Sequence, residues 1–554
     1  MKDKIKKIIE KAIKDQQIFM GSPASHSFSI GVSDDKTHGD YSTNIALILA
    51  KPDKSQGHFD GPAIISPKAS LGGKSAREIA ELIKSKIKLD IFSKIEIADP
   101  GFINFFISEK YLQERLKVIL KEKNKFGNSK IGKNQKINIE FISANPTGPL
   151  TLGNGRGGFG GDVLANVLGK AGYKVSREYY INDTGAQIKK LGHSVIGDEE
   201  AVYKGNYIDK LRKELLGRQT SQLSAEKIGQ KAAKIILGEM IKPSVKKMGI
   251  KFDKWFSETT LYKDKEVDKA IDELKKKGFT YESEGALWFK SKDLGDDKDR
   301  VLIREDGVKT YFSSDIAYLK NKFERGFGKL IIFLGADHYG YVARLKAACH
   351  ALSFNKDNID MIVLQLVKLF ENGKEVRMSK RTGIYVTIDE LIGEVGLDVA
   401  RFFFLQRSLN THFNFDMNIA KEKSDENPVF KIQYAYARIH SIILKSKIKN
   451  IKPKNLELLE ETSELDLIKQ IIRLPEIIED TAKDYQLQRL PSYAIGLAES
   501  FHKFYEKCKV ITEDKKLTDA RLSLVLATKI VLENILELMG ISAPKEMKRN
   551  EIKK

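Results

Sequence analysis

The sequence predicts an α/β fold in which a doubly wound parallel sheet is preceded by a small α/β module and followed by an all-helical bundle. Three features of the chain predict it. Strand-sized apolar runs at 137–142, 174–181, 330–334 and 359–364 alternate with helical periodicity, the pattern of a parallel sheet covered on both faces. A Gly/Pro-rich turn follows the first run directly and leads into a helical pattern, where such a sheet presents its first strand-to-helix turn to a phosphate. From about residue 424 onward the alternation stops, and repeats such as Leu465-Asp-Leu-Ile-Lys-Gln-Ile-Ile-Arg-Leu describe helices packed on one another.

The elements follow in order. The first residues, Met1-Lys-Asp-Lys-Ile-Lys-Lys-Ile-Ile-Glu, carry helical periodicity and lack the apolar block of a signal peptide, so a surface helix is expected. His38-Gly-Asp-Tyr-Ser-Thr-Asn44 opens an Ile/Leu-rich helix, 74–88 is a second helix, and 94–98 and 101–107 have strand patterns. Residues 52–73 are rich in Gly, Pro, Ser and Lys with no period, which marks a surface loop or inserted arm. The stretch from about 193 to 300 is heavily charged and is expected to be mostly helical, with 199–230 an insertion. Three domains result: 1–110, an N-terminal add-on; 130–415, catalytic, with the inserted segment at about 193–300; and 420–554, an all-helical bundle.

At 554 residues a sizeable core is certain, and 95 Lys and Arg against 75 Asp and Glu leave a formal charge of +20. Such a surplus favours a polyanionic partner through long-range attraction and counterion release, although a Lys-rich composition alone also produces it. The two cysteines, Cys349 and Cys508, lie in different segments and support neither a disulfide framework nor a cysteine metal site, which fits a reducing cytoplasm. No run approaches the roughly eighteen apolar residues of a membrane span.

Chemistry concentrates in two stretches. In Asn145-Pro-Thr-Gly-Pro-Leu-Thr-Leu-Gly-Asn154 the prolines bar regular helix and the glycines let backbone approach a ligand, so that free amides of the following helix face a phosphate. Arg377-Met-Ser-Lys-Arg381 sets cations on a Gly-flanked loop after a strand-like block. Charge that develops on phosphate oxygens when an α-phosphorus is attacked needs a positive group placed for the transition state, and Lys380 is the candidate.

These stretches, with Glu140-Phe-Ile-Ser-Ala-Asn145, Arg177-Glu-Tyr-Tyr-Ile-Asn-Asp-Thr-Gly185, Gly335-Ala-Asp-His338 and Pro428-Val-Phe-Lys-Ile-Gln-Tyr-Ala-Tyr-Ala-Arg438, are similar to the blocks of the arginyl-tRNA synthetases over essentially the whole chain. The resemblance implies a Rossmann-like class I synthetase catalytic domain, an α/β add-on domain gripping tRNA and an all-α, DALR-type anticodon-binding bundle. It also implies ATP-dependent attachment of L-arginine to tRNA(Arg) through an arginyl-adenylate, with Mg²⁺ arriving on the ATP. No protein-bound metal and no zinc are expected, and the protein is expected to be cytoplasmic and monomeric, with no membrane partner.

Residue by residue, the resemblance places ATP against Pro146, Gly148, Thr151, Gly153, Asn154, Gly335, Asp337, His338, Met378, Ser379 and Lys380, with Thr151, Asn154 and Lys380 catalytic. Arginine falls to Glu140, Ser143, Asn145, Tyr311, Asp315 and His338. Asp315 would pair with the guanidinium, whose five N–H donors in a rigid fork demand carboxylates. Tyr311 lies one helical turn before it. Tyr434, Tyr436 and Met547 are the candidates for contact with tRNA bases. Asp183 fits equally well as a helix N-cap, and His338 as a structural histidine. The first stretch departs from the family's His-x-Gly-His: Thr151 and Asn154 can donate hydrogen bonds to the same oxygens but cannot become cationic. Activity is nevertheless expected, against the alternatives of an inactive tRNA-binding paralogue and of a nucleotidyl-transferring relative.

Overall fold

The computed structural model describes residues 1–15, 28–33, 35–50, 74–88, 90–216, 223–336, 340–376, 386–448 and 450–547. The expected 52–73 arm and the 548–554 tail lie outside them. The N-terminal region forms an antiparallel sheet from β1 (Ile30–Val32), β2 (Tyr41–Thr43), β3 (Phe92–Ala98) and β4 (Phe102–Ile107), in the order β1-β2-β4-β3. The last two strands are those the sequence predicts. The helix Ala76–Ser85 starts at a reciprocal cap between Ser75 and Glu78 and buries Ile79, Ala80 and Ile83, its apolar positions at i, i+1 and i+4.

The central sheet is parallel throughout. It contains β5 (Lys136–Glu140), β6 (Lys174–Ile181) and β7 (Lys254–Ser257), and after the antiparallel trio β8 (Thr280–Ser283), β9 (Ala286–Phe289) and β10 (Arg300–Ile303) it adds β11 (Lys329–Gly335) and β12 (Ile359–Leu364). The spatial order β12-β11-β5-β6-β7 reverses direction between β5 and β11. In such sheets the crevice beyond the carboxyl ends of the strands at that reversal is where ligands bind. Glu140 and Gly335, the last residues of the two strands, face it. The apolar runs are strands because they are covered on both sides: Ile137, Ile139, Leu330 and Ile331 are all buried.

The stretch at 193–300 is helical only in part. It holds the edge strand β7, the strands β8 and β9 and the first residue of β10, none of which the sequence reading assigns as strand. β7 is four residues long with lysine at its start, so it carries no usable period, and it is fixed by packing, with Trp255 stacked on Tyr179 at 4.5 Å. A last small sheet, β13 (Val367–Glu371), β14 (Lys374–Val376) and β15 (Phe413–Asp416), pairs β13 antiparallel to β14 and parallel to β15. Beyond it the described residues are helical, including Pro428–Lys445, Arg489–Lys507 and Lys515–Met539.

Compactness divides the chain into two units. One comprises Met1–Phe126, Ile439–Glu476 and Glu499–Val531, and the other Gly127–Arg438, Ile477–Ala498 and Leu532–Lys554. In the first, the Tyr41 hydroxyl lies 3.1 Å from both oxygens of the Glu476 carboxylate, and Arg521 donates to Glu464 at 2.7 Å. In the second, the buried Arg401 ties three segments together. Its guanidinium pairs with Asp162 on the helix Leu152–Lys170 and donates to the carbonyls of Met248 and Met539, each at 2.8 Å.

Removing one partner of such a pair leaves the other charge buried and poorly compensated. Arg401→Ala is therefore expected to cost about 3–5 kcal/mol in urea unfolding, and the Arg401→Met/Asp162→Asn double variant distinctly less. A loss below about 1 kcal/mol, typical of exposed pairs, would show that the clasp is not structural.

Candidate active site

Strand β5 leaves the sheet through a strained turn. Ile142 and Ser143 hold φ of 65° and 39°, a region that a β-branched residue in particular avoids. The end of β6 holds the strain in place: the Tyr180 amide donates to Ser143 Oγ at 3.1 Å and the Tyr179 hydroxyl to the Ala144 carbonyl at 2.9 Å. The chain then runs along the crevice with Pro146 buried and Asn145 exposed. Gly148 lies under Tyr207, whose hydroxyl donates to the Thr147 carbonyl at 3.0 Å.

The helix Leu152–Lys170 starts at Thr151. Both the Thr151 amide and its hydroxyl donate to Asn154 Oδ1, at 2.9 and 3.0 Å, so the two residues that depart from the family's histidines form a reciprocal cap. The carboxamide oxygen is thereby engaged inward, leaving the Asn154 NH₂ and the first-turn amides as the donors for an anion. Gly153 is exposed, and a Cβ there would meet only the Thr151 hydroxyl, at 3.8 Å.

Asp337, His338, Met378, Ser379 and Lys380 lie outside the described residues. The segment that returns from the second cation-rich stretch is described, and it meets the turn directly. Thr387 forms a β-bridge with Thr151, and the Ile388 amide donates to the Leu150 carbonyl at 3.1 Å. A Thr387–Glu390 cap starts the next helix there. The described return from the second stretch thus lies against the first stretch at one edge of the crevice.

The other wall is acidic. Tyr311 and Asp315 stand on the helix Tyr311–Glu324, Tyr311 41% exposed at its first position with its hydroxyl accepting from the Ala186 amide at 3.0 Å. Asp315 accepts from the Tyr341 hydroxyl, and burial pushes its carboxyl up to about 7, reinforced by the charge of Glu140. Glu258, only 1% exposed, is likewise raised to about 7 by burial, with Asp315 and Asp183 adding repulsion. Tyr180 stands beside these acids, and burial and their charges hold its hydroxyl neutral. Glu140 behaves differently from its expected direct role, since its carboxylate is paired with the buried Lys322. Asp183 is a cap, but not of the helix that follows it. It accepts from Ser257 Oγ at 2.5 Å and from the Thr259 amide and hydroxyl at 3.1 and 2.9 Å, and so fixes the helix start that carries Glu258.

The sequence reading did not single out Glu258, Tyr341 or Lys322. Each lies on a short or unpatterned segment or far from the acid it serves, and only the fold brings them together. Among the described residues no group of three or more His, Cys, Asp or Glu side chains is arranged to hold a metal ion. Of the expected tRNA contacts, Tyr436 is 1% exposed with its hydroxyl 3.3 Å from Glu533, which leaves no ring face for a base. Tyr434 is half-buried, with Phe430 stacked at 6.2 Å and the Arg438 guanidinium 5.0 Å from its ring centre, and Met547 is half-buried.

The chain matches the arginyl tRNA synthetase N terminal domain over residues 3–107, the class I (R) tRNA synthetase catalytic domain over 115–407 and the DALR anticodon binding domain over 432–547. It is 42% identical to an arginine–tRNA ligase of Caldanaerobacter subterraneus, over 99% of each chain. It is 43% identical to one of Listeria welshimeri, over 93% of this chain and 94% of that one. Among solved structures, an arginyl-tRNA synthetase of Thermus thermophilus shares the fold with a TM-score of 0.78 at 20% identity, covering 99% of this chain and all of that one.

Since Asp183 holds three donors around Glu258, Asp183→Ala is expected to lower unfolding stability by about 1–3 kcal/mol, and Asp183→Asn, which keeps an acceptor oxygen, by less. Equal losses from the two variants would remove the cap from this account.

Proposed function

The chain belongs to the arginyl-tRNA synthetase family, and we propose that the acidic wall and the capped turn are the arginine and ATP halves of one adenylate-forming site. The protein is a class I arginine–tRNA ligase, which attaches L-arginine to tRNA at the expense of ATP. The observation that supports this division of the site is the pair of carboxylates, the half-buried Asp315 and the buried Glu258, which among the described residues have no salt-bridge partner of their own at the end of the strand that becomes the phosphate turn. A guanidinium is the complement of such a pair: planar, always charged, with donors enough for both. Lysine brings a point charge with three donors, and the acid oxygens it leaves unpaired in a buried pocket cost about 1–3 kcal/mol.

In this reading Tyr311 and Tyr341 frame the guanidinium, and Ser143 and Asn145 serve the α-amino and carboxylate end. Glu140 acts through Lys322, whose charge offsets part of the repulsion that a third acid exerts on its neighbours. The arginine carboxylate oxygen forms a bond to the α-phosphorus as the bond to the bridging oxygen breaks and pyrophosphate leaves. A ribose hydroxyl of the tRNA's terminal adenosine then attacks the acyl carbon and AMP leaves. The Asn154 carboxamide, the amides of the first helical turn, Gly335, Asp337 and His338 would hold the nucleotide. Lys380, flanked by Met378 and Ser379, would meet the charge that develops on the phosphates. Mg²⁺ enters with ATP as part of the substrate and neutralises the triphosphate. The modules at 1–110 and 420–554 would bind tRNA(Arg), with Tyr434 and Met547 nearest to base contact. Among the described residues no helix is long and apolar enough to cross a membrane, and a monomer in the cytoplasm is the proposed state.

With tRNA present, ATP–pyrophosphate exchange scanned over amino acids should respond to arginine alone, and Asp315→Asn should raise the KM for arginine by about tenfold or more while leaving that for ATP nearly unchanged. Exchange with another amino acid, or none with any, would overturn the assignment in favour of a different transferase or a tRNA-binding paralogue.

A pH dependence follows from the two acids near 7. Their ionised forms pair with the guanidinium, so binding is weak while the pocket holds a proton, strengthens as pH rises through about 7, and levels off above. Calorimetric titration with arginine between pH 6 and 8 should show this together with proton release on binding. An affinity flat across that range would sink the assignment of both acids to the guanidinium.

A further inference from the structure

We infer that Arg156 is a positioning residue that sets the spacing between the phosphate turn and the β13–β14 hairpin, out of which the second cation-rich stretch continues. The inference rests on the proposed role of that stretch in ATP binding. Arg156 sits two residues beyond Asn154 on the helix Leu152–Lys170 and is 1% exposed. Among the described residues it has no carboxylate partner. Its guanidinium donates only to carbonyls: to Gln365 at 3.1 Å and Leu366 at 3.5 Å through Nη1, and to Ser408 at 2.8 Å through Nη2, while Nε has no partner. The ring of Phe413 lies 5.6 Å from the guanidinium carbon.

Those carbonyls stand at particular places. Gln365 and Leu366 are the two residues between β12 and β13, where the chain passes from the central sheet into the small one. Ser408 lies on the second crossing, between the helix Leu397–Leu405 and β15, the parallel partner of β13. The two crossings are themselves joined, by the Gln365 amide to the Leu409 carbonyl at 3.1 Å and the Phe413 amide to the Leu366 carbonyl at 3.2 Å. One side chain from the phosphate helix therefore holds the two crossings that lead into the sheet whose edge strand β14 ends at Val376, one residue before Arg377. The returning flank of the same stretch is already fixed on the turn by the Thr151–Thr387 bridge. Arg156 supplies the matching restraint on the outgoing flank.

The chemistry explains why arginine serves here. Burying a cation without an acid is expensive, and burial alone pulls this guanidinium down to about 10. A planar fork can reach carbonyls on two crossings at once, which a lysine ammonium cannot do. A carboxylate in this place would neutralise the cation but would also bring negative charge close to where a triphosphate binds. The uncompensated cation adds instead to the positive field of the helix start.

The test is a double-variant cycle in tRNA-dependent pyrophosphate exchange. Arg156→Lys should lower kcat about tenfold or more with the KM for arginine unchanged, because the arginine wall does not touch this clasp. In a Lys380→Ala background the same substitution should cost no more than about twofold, since the group it helps to place is gone. Multiplying losses, or a KM for arginine that rises along with a fall in Tm, would overturn the inference and leave Arg156 a general structural residue. Should Arg156→Lys fail to fold, Phe413→Leu, which removes the ring against the guanidinium together with its packing on Phe404 and Phe415, should reproduce the non-additivity with a smaller loss, and additivity there overturns it equally. If Lys380→Ala alone leaves exchange intact, the reading of the second stretch fails and the inference with it. If Lys380→Ala cripples exchange but the losses multiply, only the inference fails.

Discussion

The close approach of the helix Leu152–Lys170 to the end of β5 is the constraint on which the rest of the site depends. A Cβ at Gly161 would overlap the Phe141 ring, one at Gly158 would reach Met248, and one at Gly155 would meet Ile388. Glycine is a poor helix former, so this sequence forms a helix because its surroundings leave room for nothing larger. Packed so tightly, the helix lies directly over the end of the strand. The chain turns sharply just after the strand, through the left-handed conformations of Ile142 and Ser143, before it runs along the crevice to the helix start. The same proximity brings the first-turn amides to the crevice and lets Arg156 reach the crossings into the small sheet.

Charge is then sorted between the two walls. On the arginine side, acids are gathered and only some are neutralised. Glu140 has Lys322, and the fully buried Glu178 has a bidentate Arg325 at 2.7 Å with Asn138 and Tyr318 completing its bonds, whereas Asp315 and Glu258 are held mainly by hydroxyls. On the phosphate side the imbalance has the opposite sign, with a buried guanidinium on carbonyls. Each wall carries charge that the described residues leave uncompensated, and in the proposed site each would meet a substrate of the opposite sign. Isolated burial of either kind would favour a proton shift or local unfolding, so the imbalance persists because the packed fold holds it.

The sequence made the parallel sheet legible because buried parallel strands are continuous apolar runs, and all four strands read from such runs are present as β5, β6, β11 and β12. β7 escaped because an edge strand of four residues has neither run nor alternation. The candidate site was legible where its residues are close in the chain, as in the turn at 145–154 and in Tyr311 and Asp315 one turn apart. It was not legible where partners come from distant segments: Glu258 reaches the pocket from beside β7, and Lys322 neutralises an acid 182 residues away. Tyr436 shows the converse limit. Its neighbours in sequence gave no sign that its face of the helix Pro428–Lys445 is the inner one, whereas Tyr434, two residues earlier, lies partly outside.

The Thr151–Asn154 cap bears on how the turn can work without imidazoles. A histidine pair would present two ring nitrogens whose charge depends on pH. Here one side chain is spent on the other: the Thr151 hydroxyl points at the Asn154 oxygen, and that oxygen also takes the Thr151 amide. The amide group that remains is oriented by two donors of the same turn and costs little to hold in place, a form of preorganisation that does not rely on a titrating group. What the turn lacks is positive charge, and among the described residues the fold supplies it from outside the turn, through Arg156 on the same helix. The neutral signature and the uncompensated arginine are thus two parts of one electrostatic arrangement, in which the turn shapes the phosphate site and its surroundings charge it.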